Sequence, residues 1–240
     1  MPCQETPGSA CAPEFAATCF RWKEMKMTML SAQNTRYQGG FSGFGPKRCL
    51  DLGLGLLILS GVWPVLLICA LAVALTSKGP VCFVQTRVGR HGVPFRMVKF
   101  RSMYTDAEAR RAALVDQSDR EGLCLKLRND PRITPVGRLL RRWSLDELPQ
   151  IFNVIRGDMS LVGPRPALPE EVADYPDAAH RRHLVLPGIT GLWQVSGRAE
   201  IGFDQMIEMD LDYVRRASVR TDLNILLRTF SAVLSGRGAY

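Results

Sequence analysis

An uncharged, apolar run between Asp51 and Lys78 restricts the fold of this 240-residue chain more than any other feature of its sequence. The run, LGLGLLILSGVWPVLLICALAVALTS, is about 26 residues long, which is enough for a helix to cross the hydrocarbon core of a bilayer. Helices in soluble cores are rarely apolar on every face over such a length. The sequence therefore predicts a membrane segment over residues 46–78.

The flanks and the middle of this segment predict its topology. Lys47 and Arg48 precede the run, and Lys78 and Arg87 follow it, so the positive-inside rule favours the cytoplasmic side for both ends. Pro64 lies near the middle, where its ring and its missing amide kink or break a helix. We therefore predict a re-entrant segment, in which a helix, a break and a second helix enter one leaflet and return.

The rest of the chain divides into a tail and one domain. Residues 1–45 combine Gly, Ser, Gln, Pro and scattered Cys without periodicity, which predicts a disordered N-terminal tail. Residues 79–240 are predicted to form a cytoplasmic domain. The predicted fold class is α+β and mainly helical, with a re-entrant membrane helix, a small β-hairpin element and a helical domain that carries amphipathic helices at the membrane interface.

Local signals place the elements of this domain. The stretch VCFVQTRVGRHGVPFRMVKFRSM contains two β-rich runs around a glycine-containing loop, which predicts the hairpin. The predicted helices cover residues 106–116, 135–142, 145–156, 203–216 and 221–235, the last of them capped by Thr221, while GPRPALP and LPGITG are predicted to be irregular or turns. The apolar face of the last helix fits either the core or the membrane interface.

The charge of the chain indicates an anionic partner. Its 31 basic and 23 acidic residues give a net charge of +8. Nucleic acid, lipid headgroups and phosphorylated substrates all fit this charge, which does not choose among them. His180 and His183 form an H-x-x-H pair without further zinc ligands nearby, and we interpret them as solvated surface residues.

Two adjacent carboxylates, Asp146 and Glu147, follow a basic stretch in RRWSLDELPQIFNV. Ser144 and Glu147 fit a capping box at a helix start, an interpretation that leaves Asp146 without a role. The surrounding cations are Lys99, Arg101, an expected arginine face at Arg138, Arg141 and Arg142, and Arg165 between two prolines. Such cations can bind a diphosphate, and two carboxylates can bind Mg²⁺ together with substrate phosphates.

These residues predict a membrane-attached, Mg²⁺-dependent phosphotransfer enzyme. An aspartate in such a site can also attack phosphorus and form an acyl-phosphate. The sequence contains no P-loop and no dinucleotide-binding glycine motif. The alternative is that the arginines simply solvate a basic surface against anionic lipid.

Long motifs extend this interpretation. KRCLDL, GPVCFVQTRVGRHGVPFRMVKFRSM, RITPVGRLLRRWSLDELPQIFNVIRGDMSLVGPRP and PGITGLWQVSGR closely resemble the bacterial sugar transferases, the monotopic polyprenyl-phosphate phosphoglycosyltransferases. The resemblance covers residues 46–240. The ending LRTFSAVLSGRGAY is most similar to the short undecaprenyl-phosphate hexose-1-phosphate transferases that initiate exopolysaccharide synthesis.

The resemblance implies a reaction and a set of site residues. Asp146 would be the nucleophile that attacks a UDP-sugar, releases UMP and carries the sugar phosphate until undecaprenyl phosphate accepts it. Glu147 would be the partner carboxylate, and both acids would bind Mg²⁺. The implied phosphate- and nucleotide-binding residues are Lys99, Arg101, Arg138, Arg142 and Arg165. Glucose or galactose is the favoured sugar.

The resemblance also implies a setting. The enzyme is expected in the bacterial inner membrane, with residues 79–240 as the phosphoglycosyltransferase domain on the cytoplasmic face and Pro64 as the helix break. A homodimer is compatible with the sequence, and no nucleic acid is expected as a partner. The alternatives are a membrane-tethered protein that binds anionic lipid or nucleic acid, and an inactive scaffold for polysaccharide assembly.

Overall fold

The computed structural model of the chain describes residues 45–107, 109–110, 130–197 and 201–235. The predicted disordered tail, residues 1–45, lies outside the described residues except for Gly45. Residues 105–107 form a turn, and most of the helix predicted over residues 106–116 also lies outside them. The described part of the domain is mainly helical, with two small sheets, which agrees with the predicted class.

The predicted membrane segment forms one uninterrupted helix, α1, from Pro46 to Thr76. Pro64 lies inside this helix, so the predicted break into two helices is wrong at the level of secondary structure. A proline removes one hydrogen bond, and apolar residues on both sides continue to favour the helix, as they do in membrane helices that contain proline. By length and composition, α1 is the one described helix that could cross a membrane.

One face of α1 packs against the domain along nearly the whole helix. The buried residues of α1 are spaced by whole helical turns, so they lie on one face of the helix. Partly buried leucine, isoleucine and alanine residues lie between them on that face. The buried residues are Lys47, Asp51, Gly55, Cys69 and Val73. Large side chains on the other faces are 55 to 76% exposed, among them Leu56, Leu57, Leu67, Ile68 and Leu75. The helix therefore has a protein-facing stripe and a broad, bare apolar surface.

Polar contacts fix the two ends of α1 to the same domain. Near the first end, Lys47 Nζ donates hydrogen bonds to Asp222 Oδ2 (2.5 Å) and to the carbonyl of Val162 (3.0 Å). At the other end, Arg101 donates to the carbonyl and the hydroxyl of Ser77, both at 2.7 Å. The start and the end of the apolar helix are thus held by one folded unit.

The predicted hairpin is confirmed. Strands β1 (Cys82–Val88) and β2 (Pro94–Phe100) pair antiparallel, with Val84 opposite Val98. The connecting 3-10 turn contains Gly92 in the left-handed region, at φ 73°. Glycine adopts this conformation without the steric cost that a Cβ atom brings.

Helix α2 (Pro135–Arg142) has the predicted bounds and the predicted cap. The Thr134 hydroxyl accepts a hydrogen bond from Gly137 N at 2.9 Å, and Pro135 occupies the first turn. Gly137 packs closely on the preceding chain, because an added Cβ would lie 2.0 Å from the carbonyl oxygen of Ser102. This close contact fixes α2 beside the end of β2.

The next segment differs from the prediction. Ser144 has a left-handed backbone (φ 55°) and makes no side-chain capping bond, so the predicted capping box is wrong. A 3-10 helix, Leu145–Gln150, precedes α3 (Ile151–Arg156), where a single helix was predicted. Pro149 has no amide to donate within this segment. Gly157 ends α3 in the left-handed region, as predicted.

The second half of the domain contains a short parallel sheet. Strand β3 (Ser160–Val162) pairs with β4 (Gly188–Thr190), where a turn was predicted for the stretch LPGITG. Three residues are too few for periodicity to reveal a strand. Helix α4 (Pro169–Ala173) and a 3-10 helix, Asp177–Leu184, lie between the two strands in the sequence.

Two helices close the described chain. Helix α5 (Phe203–Arg216) has the predicted bounds. Helix α6 (Val219–Ser235) begins two residues earlier than predicted, because the Ser218 hydroxyl accepts a hydrogen bond from Thr221 N and takes the capping role that had been assigned to Thr221.

The interpretation of both H-x-x-H histidines as solvated residues is wrong for His183. Its side chain is buried, and its ring stacks on Tyr175 with the centroids 6.4 Å apart. Burial and the charge of Arg182 lower the pKa of His183 to about 3, so the residue is a neutral core histidine.

The hydrophobic core lies between α1, the hairpin and the last two helices. Its main cluster consists of Met97, Ile151, Val154, Met159, Leu161, Val162, Tyr213 and Ile225. A smaller cluster joins the second half of α1 to β2 and α2 through Cys69, Val73, Phe100 and Leu140. The 3-10 helix Leu145–Gln150 follows α2 and packs against β2, which carries Lys99.

Candidate active site

The two predicted acids lie in the first turn of the 3-10 helix that packs against β2. Asp146 is buried, with 7% of its surface exposed, while Glu147 is partly exposed. Lys99 Nζ, on β2, donates a hydrogen bond to Glu147 Oε1 at 2.8 Å. The structure therefore brings together Lys99, Asp146 and Glu147, and Glu147 pairs with a lysine where a capping bond had been predicted.

Burial and nearby charges act on Asp146 in opposite directions. Burial raises the pKa of Asp146, and the charge of Glu147 raises it further. The positive charges of Lys99 and Arg141 lower it. A buried carboxylate next to two cations can act as a nucleophile toward phosphorus or as an oxygen ligand for a metal ion.

The three arginines of α2 do not share one role. Arg141 turns toward the domain, where its Nε donates to the Ser102 hydroxyl at 2.9 Å. Arg138 and Arg142 are exposed. The predicted single arginine face is wrong, because Arg141 is partly buried against Ser102 while Arg138 and Arg142 remain exposed. The sequence pattern placed Arg141 among the cations near the two acids, but the implied set of site residues left it out, although its charge acts on Asp146.

An open cleft with an empty volume of about 440 Å³ lies next to Glu147. Three of its lining residues are cations, Arg87, Lys99 and Arg165. The remaining wall consists of Glu147, Met97, Gln150, Pro166, Gly188, Ile189, Trp193 and Gln194. Several cations around one volume, with an aromatic ring in its wall, suit a phosphorylated organic molecule.

Arg165 has a fixed position in the wall of this cleft. Its guanidinium makes a two-point contact with the buried carboxylate of Glu171, at 2.9 and 3.4 Å. Its backbone carbonyl accepts a hydrogen bond from Arg182 at 2.9 Å. The GPRPALP stretch is irregular, as predicted, and these contacts hold it against the site.

Arg87, which the sequence analysis had not selected, supports the same wall. One of its terminal nitrogens donates to the carbonyl of Pro166 at 3.1 Å, and the other donates to Gln85 Oε1 at 2.6 Å. Trp193 and Gln194 also line the cleft, with Gln194 Nε2 bonded to the carbonyl of Ile189 at 2.9 Å.

Arg101 directly follows β2, at the end of the strand as predicted, and its side chain makes contacts that the motif does not reveal. It is buried and donates to Ser77 and to the carbonyl of Pro80, at the C-terminal end of α1. These contacts stabilise the junction between the apolar helix and the hairpin. The geometry gives Arg101 a structural contact, and its assignment to phosphate binding stays a prediction.

The predicted metal ligands fit one type of magnesium site. Within the described ranges, no group of three or more His, Cys, Asp or Glu residues could hold a metal ion. Mg²⁺ is often bound by one or two carboxylates, with substrate phosphates and water completing its shell. The charge of Glu147 already raises the pKa of Asp146, so the two acids repel each other, and a divalent cation would relieve this repulsion.

Comparison with known proteins identifies the family. The family model described as bacterial sugar transferase matches residues 43–236. The chain belongs to the bacterial sugar transferase family. A family member from Streptococcus agalactiae, named galactosyl transferase CpsE, is 45% identical over 197 residues, which cover 80% of this chain and 43% of the relative.

Two further family members differ in length. The undecaprenyl-phosphate galactose phosphotransferase of Salmonella typhimurium is 41% identical over 198 residues, covering 81% of this chain and 41% of the relative. The exopolysaccharide production protein ExoY of Sinorhizobium fredii is 36% identical over 206 residues, covering 84% of this chain and 89% of the relative. This sugar transferase chain thus spans less than half the length of the first two relatives.

Proposed function

We propose that the chain transfers a hexose 1-phosphate from a UDP-sugar to undecaprenyl phosphate and releases UMP, as the first membrane step of exopolysaccharide synthesis. The observation that carries this proposal is the buried Asp146 under the charges of Glu147, Lys99 and Arg141, where Glu147 and Lys99 also line a cation-rich cleft. The names of the relatives from Streptococcus agalactiae and Salmonella typhimurium support the lipid and the sugar class. Galactose and glucose are the first sugars to test.

In the first half of the reaction, an Asp146 oxygen attacks the β-phosphorus of the UDP-sugar. The bond from this phosphorus to the oxygen shared with UMP breaks, and that oxygen leaves with UMP. The sugar phosphate is then held on Asp146 as an acyl-phosphate. Lys99, Arg87 and Arg165 lie where they can bind the phosphates before and during this step.

In the second half, a phosphate oxygen of undecaprenyl phosphate attacks the same phosphorus. The bond to the Asp146 carboxylate breaks, and the product is an undecaprenyl-diphosphate sugar. Asp146 returns as a free carboxylate, so the two substrates react in turn.

Asp146 and Glu147 would hold Mg²⁺ together with the substrate phosphates. When bound, the ion would neutralise charge that develops on the phosphate oxygens. Glu147, paired with Lys99, would orient the site. A protein that only binds anionic lipid or nucleic acid, or only acts as a scaffold, would use the cations but has no need for a buried aspartate beside a second acid.

We propose that α1 enters the inner membrane from the cytoplasmic side without crossing it. Lys47 at one end and Ser77 at the other are both bonded to the same domain, which supports this topology. Cys49, in the first turn of α1, and Cys82, beyond its end, lie on either side of the apolar run and are both exposed, so a membrane-impermeant thiol reagent should label both from the cytoplasmic side in single-cysteine variants. Labelling of the two cysteines from opposite sides would show a crossing.

The pH dependence of UMP release should report on Asp146. The rate should fall as the pH is lowered, because the attacking group must be ionised, and the midpoint should depend on the charges around Asp146, since burial and the charge of Glu147 raise the pKa of Asp146 before Mg²⁺ binds. Glu147→Gln removes a negative charge and should lower the midpoint. Lys99→Met removes a positive charge and should raise it. Initial rates of UMP release across pH measure both shifts, and unmoved midpoints would contradict the assignment.

The experiment that tests the proposed function is UMP release by the protein in nanodiscs with Mg²⁺, undecaprenyl phosphate and a panel of UDP-sugars. Sustained release with one UDP-hexose that depends on the lipid acceptor is the expected result. If no UDP-sugar releases UMP, the transferase proposal is wrong and the binder or scaffold alternatives replace it.

A further inference from the structure

Helix α2 has two chemically different sides. Toward the domain, Leu140 is buried against Cys69 and Val73 of α1, and Arg141 bonds to Ser102. Toward the outside lie Arg138 and Arg142, which are exposed, with Leu139 at 57% and Trp143 at 39% exposure. We call these four outer residues the α2 surface.

The α2 surface combines two positive charges with bare apolar groups. The Arg142 guanidinium lies 5.8 Å from the centroid of the Trp143 ring, so the cation and the aromatic group form one patch. Arg138 and Arg142 are one helical turn apart and can contact the same anion. Such a patch matches an amphiphile with a phosphate headgroup and an apolar chain.

This patch is separate from the cleft. In the part of the chain that the structure describes, the cations lining the cleft are Arg87, Lys99 and Arg165. The cleft therefore has its own charges for a nucleoside diphosphate. The arginines of the α2 surface are left for a second anion.

The position of α2 indicates which anion this is. On one side α2 packs against the second half of the apolar helix α1, where a lipid headgroup would lie once that helix is in a bilayer. On the other side it leads directly into the 3-10 helix that carries Asp146. The α2 surface therefore belongs to the element that connects the side of the apolar helix to the segment carrying the nucleophile.

We infer that the α2 surface docks the polyprenyl phosphate acceptor, with Arg138 and Arg142 binding its phosphate while Leu139 and Trp143 contact its first isoprene units. The inference rests on the proposed function and refines it. The family resemblance placed these two arginines among the phosphate- and nucleotide-binding residues, whereas the exposed patch assigns them to the lipid phosphate.

The test compares Arg138→Gln/Arg142→Gln with a control of equal charge change, Arg181→Gln/Arg216→Gln, at two exposed arginines elsewhere in the domain. In nanodiscs of zwitterionic lipid, the first pair should raise the KM for undecaprenyl phosphate at least about 10-fold, the factor expected for a lost charge-assisted hydrogen bond. The KM for the UDP-sugar should not change. Without acceptor, the variant should still release one UMP per enzyme molecule, because the first half of the reaction does not involve the lipid. An unchanged acceptor KM, or an equal rise in the control, would overturn the inference.

Native mass spectrometry of the nanodisc protein supplies a measurement that needs no turnover. Added undecaprenyl phosphate should bind the unmodified protein and the control but not the Arg138/Arg142 variant, at equal phosphatidylglycerol content. If the Arg138/Arg142 variant loses bound phosphatidylglycerol but still binds undecaprenyl phosphate, the α2 surface binds bulk anionic lipid, and the inference is wrong. Arginine-dependent binding without UMP release would keep the docking surface and refute the transferase function.

Discussion

Asp146→Asn is expected to abolish UMP release in both the presence and the absence of undecaprenyl phosphate. An amide cannot form the acyl-phosphate, so the rate should fall by at least about 10³-fold, as it does when a covalent nucleophile is removed from other enzymes. The measurement is UMP release with the UDP-sugar that the unmodified protein uses. Turnover retained within about 10-fold would exclude Asp146 as the nucleophile.

This loss should not come from unfolding. The pKa of Asp146 is raised in the folded protein, so its charged form is less favourable there than in the unfolded chain at neutral pH. A neutral asparagine therefore keeps or increases stability, and the thermal unfolding midpoint of Asp146→Asn should equal or exceed that of the unmodified protein. A second control is the peptide mass: incubation with the UDP-sugar alone should add one sugar phosphate to the peptide containing Asp146, and the variant should not show it.

Local sequence signals predicted those parts of the fold that depend on neighbouring residues. Thr134 and Pro135 determine the start of α2 through a hydroxyl cap and a preset φ, and the structure has both. The hairpin follows from two β-rich runs around a glycine turn. The bounds of α5 and the end of α3 at Gly157 were likewise predictable.

The errors arise where distant residues decide the outcome. Ser144 and Glu147 have the spacing of a capping box, yet Glu147 pairs with Lys99 from a strand 48 positions earlier, and Ser144 adopts a left-handed backbone. Arg101 follows Lys99 by two positions in its motif but bonds to the end of α1. The pattern of residues within one segment does not predict contacts with a distant segment.

The candidate site was predicted only in part for the same reason. Motif spacing found Asp146, Glu147, Lys99 and Arg165, which the fold does bring to one region. It did not find the lining residues Arg87, Trp193 and Gln194, or the inward turn of Arg141. Their roles depend on which elements meet, and the sequence of each element alone does not determine that.

Lys47→Met is expected to cause the largest loss of stability among single substitutions in α1. Lys47 is buried and donates to the carboxylate of Asp222, the hydroxyl of Tyr213 and the carbonyl of Val162. Methionine keeps the apolar stem but leaves the buried Asp222 without its cation, and breaking such a pair costs about 3–5 kcal/mol. The thermal or denaturant unfolding midpoint of the detergent-solubilised protein measures this loss.

Two controls separate the buried charge from lost packing. Arg216→Gln breaks an exposed pair with Asp212 and should cost less than about 1 kcal/mol. The double variant Lys47→Met/Asp222→Asn removes both charges and should regain part of the stability lost in Lys47→Met, since the unpaired carboxylate is gone. If the double variant is as unstable as the sum of Lys47→Met and Asp222→Asn, the ion pair is not what fixes the first turn of α1 to β3, α5 and α6. The attachment of α1 to the domain would then depend on its packed stripe and on the contacts of Arg101 with Ser77.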